Sequence, residues 1–138
     1  MKRLLLSFIA VLLVCPSSNI FAQNNTDQER NKKIAVKYHE LNPDDIDAIL
    51  TEDFIGRTNE DTWDREVQRQ FWKDQKAEDK ILHLVAEDDM VAIRFIRTGE
   101  FEGEKIRAHA MQFMRFENGK IAEIWEIFGQ SQVESMDE

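Results

Sequence analysis

The chain has 138 residues, enough for about one domain, and it carries 27 acidic residues against 18 basic ones. Because no cluster of lysines and arginines accompanies the net charge of −9, the composition argues against a nucleic-acid-binding protein. The same charge argues against attachment to anionic membrane surfaces.

The first 22 residues have the pattern of a secretory signal peptide. A basic start precedes the apolar run of residues 4–14, and the small residue Ala22 offers a cleavage site. The apolar run is about half as long as a membrane-spanning helix requires. We therefore expect a protein that is exported to the periplasm or the medium and cleaved near Ala22. The mature part, residues 23–138, is expected to form a single domain with a net charge of −11, because 16 basic residues then face 27 acidic ones.

The only cysteine, Cys15, lies within the predicted signal, so the mature domain contains no thiol. This excludes disulfides, thiolate catalysis and zinc–cysteine sites from the mature domain. An alternative is a lipoprotein signal with Cys15 as the acylated residue. That signal needs small residues just before the cysteine, whereas Leu13 and Val14 are bulky.

Residues 24–78 have the spacing of three helices, in which apolar residues recur every three or four positions. Asn42 and Pro43 supply an N-cap and a first-turn proline for the second, short helix. The apolar positions that mark the three helices are, in chain order, Ile34, Tyr38 and Leu41; Ile46, Ile49 and Leu50; and Trp63, Val67 and Phe71.

From residue 80 onward the sequence changes to the pattern of antiparallel strands. The segments 81–86, 91–101, 105–116 and 120–128 are rich in β-branched and aromatic residues. Asn118-Gly119 between the last two segments is the strongest hairpin signal, because both residues accept positive φ. Helices followed by a meander predict an α+β fold in which three N-terminal helices pack on a curved antiparallel sheet. Residues 130–138 are expected to be a flexible acidic tail.

Two-residue turns at residues 88–89 and 118–119 allow the two faces of the sheet to be predicted. These turns pair Leu84 with Ile93 and His83 with Arg94 in one hairpin, and Gln112 with Trp125 and Ala110 with Ile127 in the other. A single bulge would exchange the faces beyond it. The more apolar face is expected to meet the helices and to hold any pocket; it collects Leu82, Leu84, Ile93, Phe95, Ala110, Gln112, Met114, Trp125 and Ile127. The opposite face collects His83, Arg94, Thr98, His109, Met111, Phe113 and Glu126.

The opposite face still holds several apolar side chains among its charges, including Met111 and Phe113. Such a face is too apolar to be left in water, so we expect it to form a homodimer interface. The alternative is an outer face that is simply solvated.

Several segments resemble a known family. VAIRF at residues 91–95, TGEFEG at 98–103 and the hairpin FMRFENGKIAEIW at 113–125 are similar to stretches of the SnoaL-like polyketide cyclases, as are YHELN at 38–42 and DFI at 53–55. The resemblance covers nearly all of the mature chain. It implies the cone-shaped nuclear-transport-factor-2-like fold and a cofactor-free site. The family contains cyclases, isomerases, epoxide hydrolases, dehydratases and non-catalytic binding modules, so the fold alone does not select an activity.

The positions of the family's acid and base differ in this chain. In the cyclases an aspartate four residues after the tryptophan of the last hairpin transfers the proton; here Gly129 follows Trp125 at that spacing. The family's histidine aligns with Arg57. Glycine cannot transfer a proton, so the resemblance argues against the cyclase reaction itself.

Three residues remain as candidate catalytic groups: Gln112, Glu126 and His109. Gln112 could orient a carbonyl or hydroxyl group of a ligand, or it could be a buried structural amide. Glu126 could replace the missing aspartate if a bulge turned it inward. His109 is a candidate because histidine is a common acid and base in proteins, but the register places it opposite the pocket, which favours an interface role.

Six further residues are candidate ligand contacts. Two arginines could bind an anionic ligand at the mouth of the pocket, or they could pair with the many acidic residues. The aromatic residues could line the pocket or form a lid, or they could belong to the core. The six are Arg57, Arg97, Trp63, Trp72, Phe95 and Trp125.

These observations predict an exported domain that binds a small hydrophobic or ring-containing molecule, with cofactor-free cyclase, isomerase or hydrolase chemistry as a further hypothesis. The alternative is a non-catalytic dimeric binding or assembly module whose pocket is filled by side chains. Three histidines scattered along the chain do not predict a metal site. We expect no cofactor, no nucleic-acid partner and no membrane association after signal removal.

Overall fold

The computed structural model describes residues 17–74, 76–101, 104–129 and 132–133. Three helices pack on an open, mostly antiparallel sheet, which confirms the predicted α+β class. The elements are, in chain order, α1 (Ser17–Tyr38), a 3-10 turn (Pro43–Asp45), α2 (Ile46–Ile49), β1 (Leu50–Arg57), β2 (Thr62–Asp64), α3 (Arg65–Asp74), β3 (Ala77–Glu87), β4 (Met90–Phe101), β5 (Glu104–Glu117), β6 (Lys120–Phe128) and β7 (Gln132–Val133).

Both predicted terminal segments lie largely outside the described residues. Residues 1–16 of the predicted signal are not described, and residues 17–22 form the start of α1, so cleavage and export stay predictions. No helix in the described part of the chain is long and apolar enough to cross a membrane. Within the predicted tail, Gln132–Val133 form the short strand β7, which pairs with β5.

The sheet has the strand order β2-β1-β6-β5-β4-β3, and all pairs along this path are antiparallel except the parallel pair β1–β6. The prediction of helices throughout residues 24–78 is wrong at β1 and β2. β1 contains the polar run Thr51, Glu52 and Asp53, and its partner β6 lies far away in sequence. No local sequence pattern therefore predicted this strand. The third helix begins at Arg65 rather than at Trp63, which belongs to β2.

The predicted start signals of the second helix, Asn42 and Pro43, belong to the 3-10 turn that leads directly into α2. Asn42 precedes the 3-10 turn, and its side-chain oxygen accepts a hydrogen bond from the backbone N–H of Asp44 at 3.1 Å. Ile46 and Ile49 are buried, and Leu50 continues directly into β1.

The helices bury their apolar stripes against one face of the sheet, called the inner face here. The largest apolar side chains that are fully buried include Tyr38, Phe54, Phe95, Ile46, Leu50, Ile93, Met114, Ile121 and Ile124.

A bulge in the last hairpin decides which side chains face inward. The turn holds Asn118 at φ 51° and Gly119 at φ 76°, and Phe116 pairs with Ile121, which confirms the predicted start of the hairpin. The register then shifts between Arg115 and Phe116, so that Arg115 pairs with Glu123 and Ala122 is the extra residue.

The predicted pairs of Gln112 with Trp125 and of Ala110 with Ile127 are therefore wrong. Gln112 pairs with Glu126 instead, which places Glu126 on the inner face and Trp125 on the opposite, outer face. The first hairpin keeps its predicted pairs of Leu84 with Ile93 and His83 with Arg94, and it shifts register only beyond His83.

The outer face exposes a patch of apolar side chains. Cross-strand pairs join Phe113 to Trp125 and Met111 to Ile127, and each of the four side chains is at least partly exposed. The bulge adds Trp125 and Ile127 to this face, which makes it more apolar than the sequence predicted. The homodimer stays a prediction.

Candidate functional site

A cavity of about 240 Å³ opens between α1, α3 and the inner face of the sheet. Its wall is mostly apolar, and its polar groups come from α1, α3, β2, β4, β6 and the turn after β1. The cavity counts against the alternative in which side chains fill the pocket completely. The residues that line it are Tyr38, Thr58, Trp63, Val67, Gln68, Phe71, Arg97, Glu126 and Phe128.

Glu126 provides the carboxyl group of the cavity wall. Its Oε2 accepts a hydrogen bond from Gln112 Nε2 at 2.7 Å, and its Oε1 lies 3.5 Å from Arg97 Nη1. Glu126 is 6% exposed. Burial raises the pKa of Glu126, and this effect outweighs the opposing influence of Arg97 and Gln112. A carboxyl group with a raised pKa, held in one orientation beside a cavity, is suited to accepting and returning a proton.

Arg97 is held in place by a second carboxylate beneath the cavity. Its Nε and Nη2 atoms donate to Asp79 Oδ1 and Oδ2, both at 2.7 Å, and the Asp79 side chain has no exposed surface. His39 Nδ1 lies 2.8 Å from Asp79 Oδ2 and donates to it, since a carboxylate can only accept. Burial opposes the ionisation of Asp79, but the hydrogen bonds from Arg97 and His39 outweigh it and lower its pKa.

One amino group of Arg97 is left to face the cavity. Nε and Nη2 are engaged by Asp79, whereas Nη1 has only the long 3.5 Å contact with Glu126. The guanidinium also lies over the Phe95 ring, 5.2 Å from its centroid, and 5.9 Å from that of Phe71. Arg97 therefore presents a fixed positive charge and a hydrogen-bond donor next to the Glu126 carboxyl group.

The opposite wall is built around the amide of Gln68. Its Oε1 accepts from Tyr38 Oη at 2.9 Å and from Trp63 Nε1 at 2.6 Å. Burial raises the pKa of Tyr38 well above its ordinary value, so its hydroxyl group stays protonated and donates. Trp63 packs directly over Gly56 of β1; a Cβ atom at Gly56 would lie 2.0 Å from Trp63 Cε2. Only glycine therefore admits the indole here.

Three of the nine residues predicted from the sequence line the cavity: Arg97, Glu126 and Trp63. Three others lie behind it. Gln112 is fully buried and contacts Glu126, so it supports the carboxyl group without reaching the cavity. Trp72 and Phe95 belong to the core, where Trp72 packs edge-on against Tyr38 at 4.8 Å between ring centroids and Phe95 against His39 at 4.4 Å.

The remaining three lie on the outer face. Trp125 is exposed there, so its predicted position in the pocket is wrong because of the bulge in β6. Arg57 pairs with Trp125 in the sheet and donates to Glu123 Oε1 at 2.6 Å, so the two candidate arginines do not converge on an anion. His109 is exposed on the outer face, as the register predicted.

The sequence analysis missed Tyr38 and Gln68 as cavity residues and His39 and Asp79 as supports, and it also did not predict the lining residues Thr58, Val67 and Phe128. Asp79 pairs with Arg97 only because β3 shifts register between Ile81 and His83. Gln68 had a weak signal, since a glutamine on the buried side of a helix requires polar partners. Within the described part of the chain, no group of three or more His, Cys, Asp or Glu side chains could hold a metal ion.

Comparisons with known proteins agree on the family and the fold. The family model of the SnoaL-like domain matches residues 35–124. Among functionally curated proteins, none matches the sequence significantly. The fold is similar to that of the epoxide hydrolase/cyclase-like enzyme SalBIII, which has a role in pyran ring formation in the polyether salinomycin, with a TM-score of 0.69, 20% identity and coverage of 78% of this chain and 98% of that one.

Two further solved structures represent other activities on the same fold. A putative ketosteroid isomerase from Kribbella flavida has a TM-score of 0.64 and 18% identity, with coverage of 81% of this chain and 90% of that one. An epoxide hydrolase of M. tuberculosis, described as LEH-like, has a TM-score of 0.66 and 12% identity, with coverage of 75% and 85% respectively. At these identities the similarity establishes the fold, and an activity has to be argued from the cavity.

Proposed function

This chain belongs to the SnoaL-like domain family, and we propose that it is a cofactor-independent isomerase that moves a proton within a small, mostly apolar ring ketone. The observation that carries the proposal is the Glu126 carboxyl group, which is buried at the cavity wall, fixed by Gln112 and adjacent to the cationic Arg97. The apolar side chains of Val67 and Phe71 around it favour a hydrophobic ring.

The proposed reaction uses Glu126 first as a base and then as an acid. In a β,γ-unsaturated ketone, its carboxylate removes a proton from the carbon between the carbonyl group and the C=C double bond, and the C–H electron pair moves into the carbonyl group to form a dienolate. Arg97 Nη1 donates a hydrogen bond to the oxygen as negative charge develops on it. The γ-carbon of the dienolate then takes the same proton back from Glu126, which moves the double bond into conjugation with the carbonyl group and leaves the enzyme unchanged.

Isomerisation is favoured over hydrolysis by the number of carboxyl groups at the cavity. Among the described residues Glu126 is the only carboxyl group that lines it. Asp79 is buried beneath the cavity, and both of its oxygens accept hydrogen bonds from Arg97 or His39. Hydrolysis needs one group to activate water and a second to protonate the leaving oxygen, whereas isomerisation needs one group that does both in turn.

The proposal predicts a specific dependence of the rate on pH. Because Glu126 must be ionised to act as a base, kcat/KM should rise with pH as the carboxyl group loses its proton. The midpoint should lie above the ordinary glutamate value of 4.5, since burial raises the pKa of Glu126.

A β,γ-unsaturated ring ketone provides the test. The conversion of cyclohex-3-enone to the conjugated cyclohex-2-enone is followed by ultraviolet absorbance, with wild type and Glu126→Gln compared. The glutamine variant should lose about 10²–10⁴-fold in rate. Glu123→Gln is the matched control, because this glutamate lies on the outer face, paired with Arg57 and Arg115, and its rate should equal that of wild type.

Two outcomes would contradict the proposed isomerase activity. Wild-type rates in Glu126→Gln would remove its proposed base. Binding of the ketone by the wild type without any acceleration of its isomerisation would instead support the alternative, a non-catalytic binding module.

Export of the domain is likewise a proposal, supported by the composition of residues 1–22.

A further inference from the structure

The amide of Gln68 is locked in one orientation by two donors. Trp63 Nε1 and Tyr38 Oη lie 2.6 and 2.9 Å from the same atom, Gln68 Oε1. An indole N–H can only donate, so the atom that faces it must be the amide oxygen. Rotating the amide by half a turn would set Nε2 against the indole N–H, which would replace an attraction by a clash of two donors.

This orientation determines where the amino group of the amide points. Gln68 is 3% exposed and lines the cavity. Nε2 has no hydrogen-bond acceptor among the described residues, although the atom is not sealed off from the cavity. A buried amide N–H that meets no acceptor is destabilising, so this donor is suited to an oxygen brought by a ligand.

We propose that Gln68 is a ligand-binding residue whose Nε2 donates a hydrogen bond to a neutral oxygen acceptor of the substrate. This inference deepens the proposed function. The carbonyl that reacts lies at Arg97, and Gln68 recognises a second oxygen, so the substrate class is a hydrophobic ring ketone with a further oxygen function. Gln68 donates only on its cavity side, so it selects an acceptor at that point.

Two side chains act through Gln68 as positioning residues. Trp63 fixes the orientation of the Gln68 amide because its Nε1 cannot accept a hydrogen bond. Gly56 leaves the space in which the indole packs. Tyr38 supplies the second donor. A site that is built in this way to meet an oxygen discriminates against an analogue that lacks it, because the analogue leaves the buried donor unpaired.

The side-chain amide resonances of Gln68 provide a direct test in the full-length protein. 1,4-Cyclohexanedione and 4-methylenecyclohexanone have nearly the same shape and share a carbonyl group for Arg97, but only the dione carries a second oxygen that accepts a strong hydrogen bond. In ¹⁵N–¹H correlation spectra the dione should shift the Gln68 Nε2 protons downfield, whereas the methylene ketone should not. Equal responses to both probes, or no response to the dione while other cavity resonances move, would overturn the proposal.

Gln68→Glu gives an independent measurement by binding. A carboxylate keeps two acceptor oxygens for Tyr38 and Trp63 but cannot donate to the ligand. The preference of the wild type for the dione over the methylene ketone should fall about tenfold in this variant. Gln70→Glu makes the same chemical change on the exposed side of α3, where the glutamine donates to Asp74, and should keep the wild-type preference.

These experiments distinguish a failure of the Gln68 proposal from a failure of the proposed isomerase activity. If Gln68→Glu keeps the full preference for the dione, Gln68 is not the donor, whatever the result of the catalytic experiment. If Gln68→Glu does not fold, the spectra of the wild type still decide the matter. Glu126→Gln should retain the shift of the Gln68 amide, because binding at this wall does not require the base.

Discussion

Arg97→Met should strongly destabilise the fold. The arginine donates two 2.7 Å hydrogen bonds to Asp79, whose side chain has no exposed surface, so its loss leaves a buried carboxylate with His39 as its remaining partner. Removing one partner of a buried ion pair costs about 3–5 kcal/mol. For a domain of this size about 1 kcal/mol corresponds to about 4 °C, so Tm should fall by about 12–20 °C in thermal unfolding followed by circular dichroism.

The pH dependence of this difference tests its cause. In the wild type, burial opposes ionisation of Asp79, but Arg97 and His39 together lower its pKa. Asp79 therefore stabilises the wild type above its unfolded pKa of about 3.9, and this contribution is lost as the pH falls through the lower folded value. Without Arg97 the buried carboxyl group should take up a proton more readily. The difference in Tm between the two proteins should therefore narrow as the pH is lowered from about 7 to about 4.

Arg115→Met is the matched control. This arginine pairs with Glu117 and Glu123 and is about one-third exposed, so its loss should cost less than about 1 kcal/mol. The reasoning would be refuted if Arg97→Met lowered Tm by no more than the control, or if the difference between Arg97→Met and wild type did not change with pH.

Three further predictions concern the cavity wall, the outer face and the N-terminus. Gly56→Ala should displace the indole of Trp63, lower the free energy of unfolding by about 1–3 kcal/mol and weaken cyclohexanone binding; wild-type stability and affinity would contradict this packing. Light scattering should give a dimer mass for the wild type and a monomer mass for Phe113→Asp, and a monomeric wild type at micromolar concentration would rule out the outer-face dimer. Mass spectrometry of the exported protein should find Gln23 as the first residue after cleavage at Ala22, and an intact N-terminus would exclude this cleavage.

Local signals in the sequence predicted local structure well. Asn42 and Pro43 marked the 3-10 turn that leads into the second helix, and Asn118 and Gly119 adopt the positive φ values of the predicted hairpin turn. β1 escaped prediction because its partner β6 lies far away in sequence, and its polar residues resemble neither a helix nor a buried strand.

The candidate site was predicted only in part, because its members come together across bulges. Glu126 reaches the cavity only because one extra residue in β6 turns it inward, and Asp79 meets Arg97 only because of a register shift in β3. Neither irregularity has a clear sequence signature, since no glycine marks either position. Extrapolation from the turns therefore placed Glu126 and Trp125 on the wrong faces.

Residue type and short spacing were enough to predict the α+β class, the hairpin turns and the similarity to the SnoaL-like family. A single chain displays these properties directly. The positions of Glu126 at the cavity and of Trp125 outside it were instead set by tertiary packing. Side chains of a strand alternate between two faces, so one extra residue exchanges every assignment beyond it, and that choice is made by packing against distant elements.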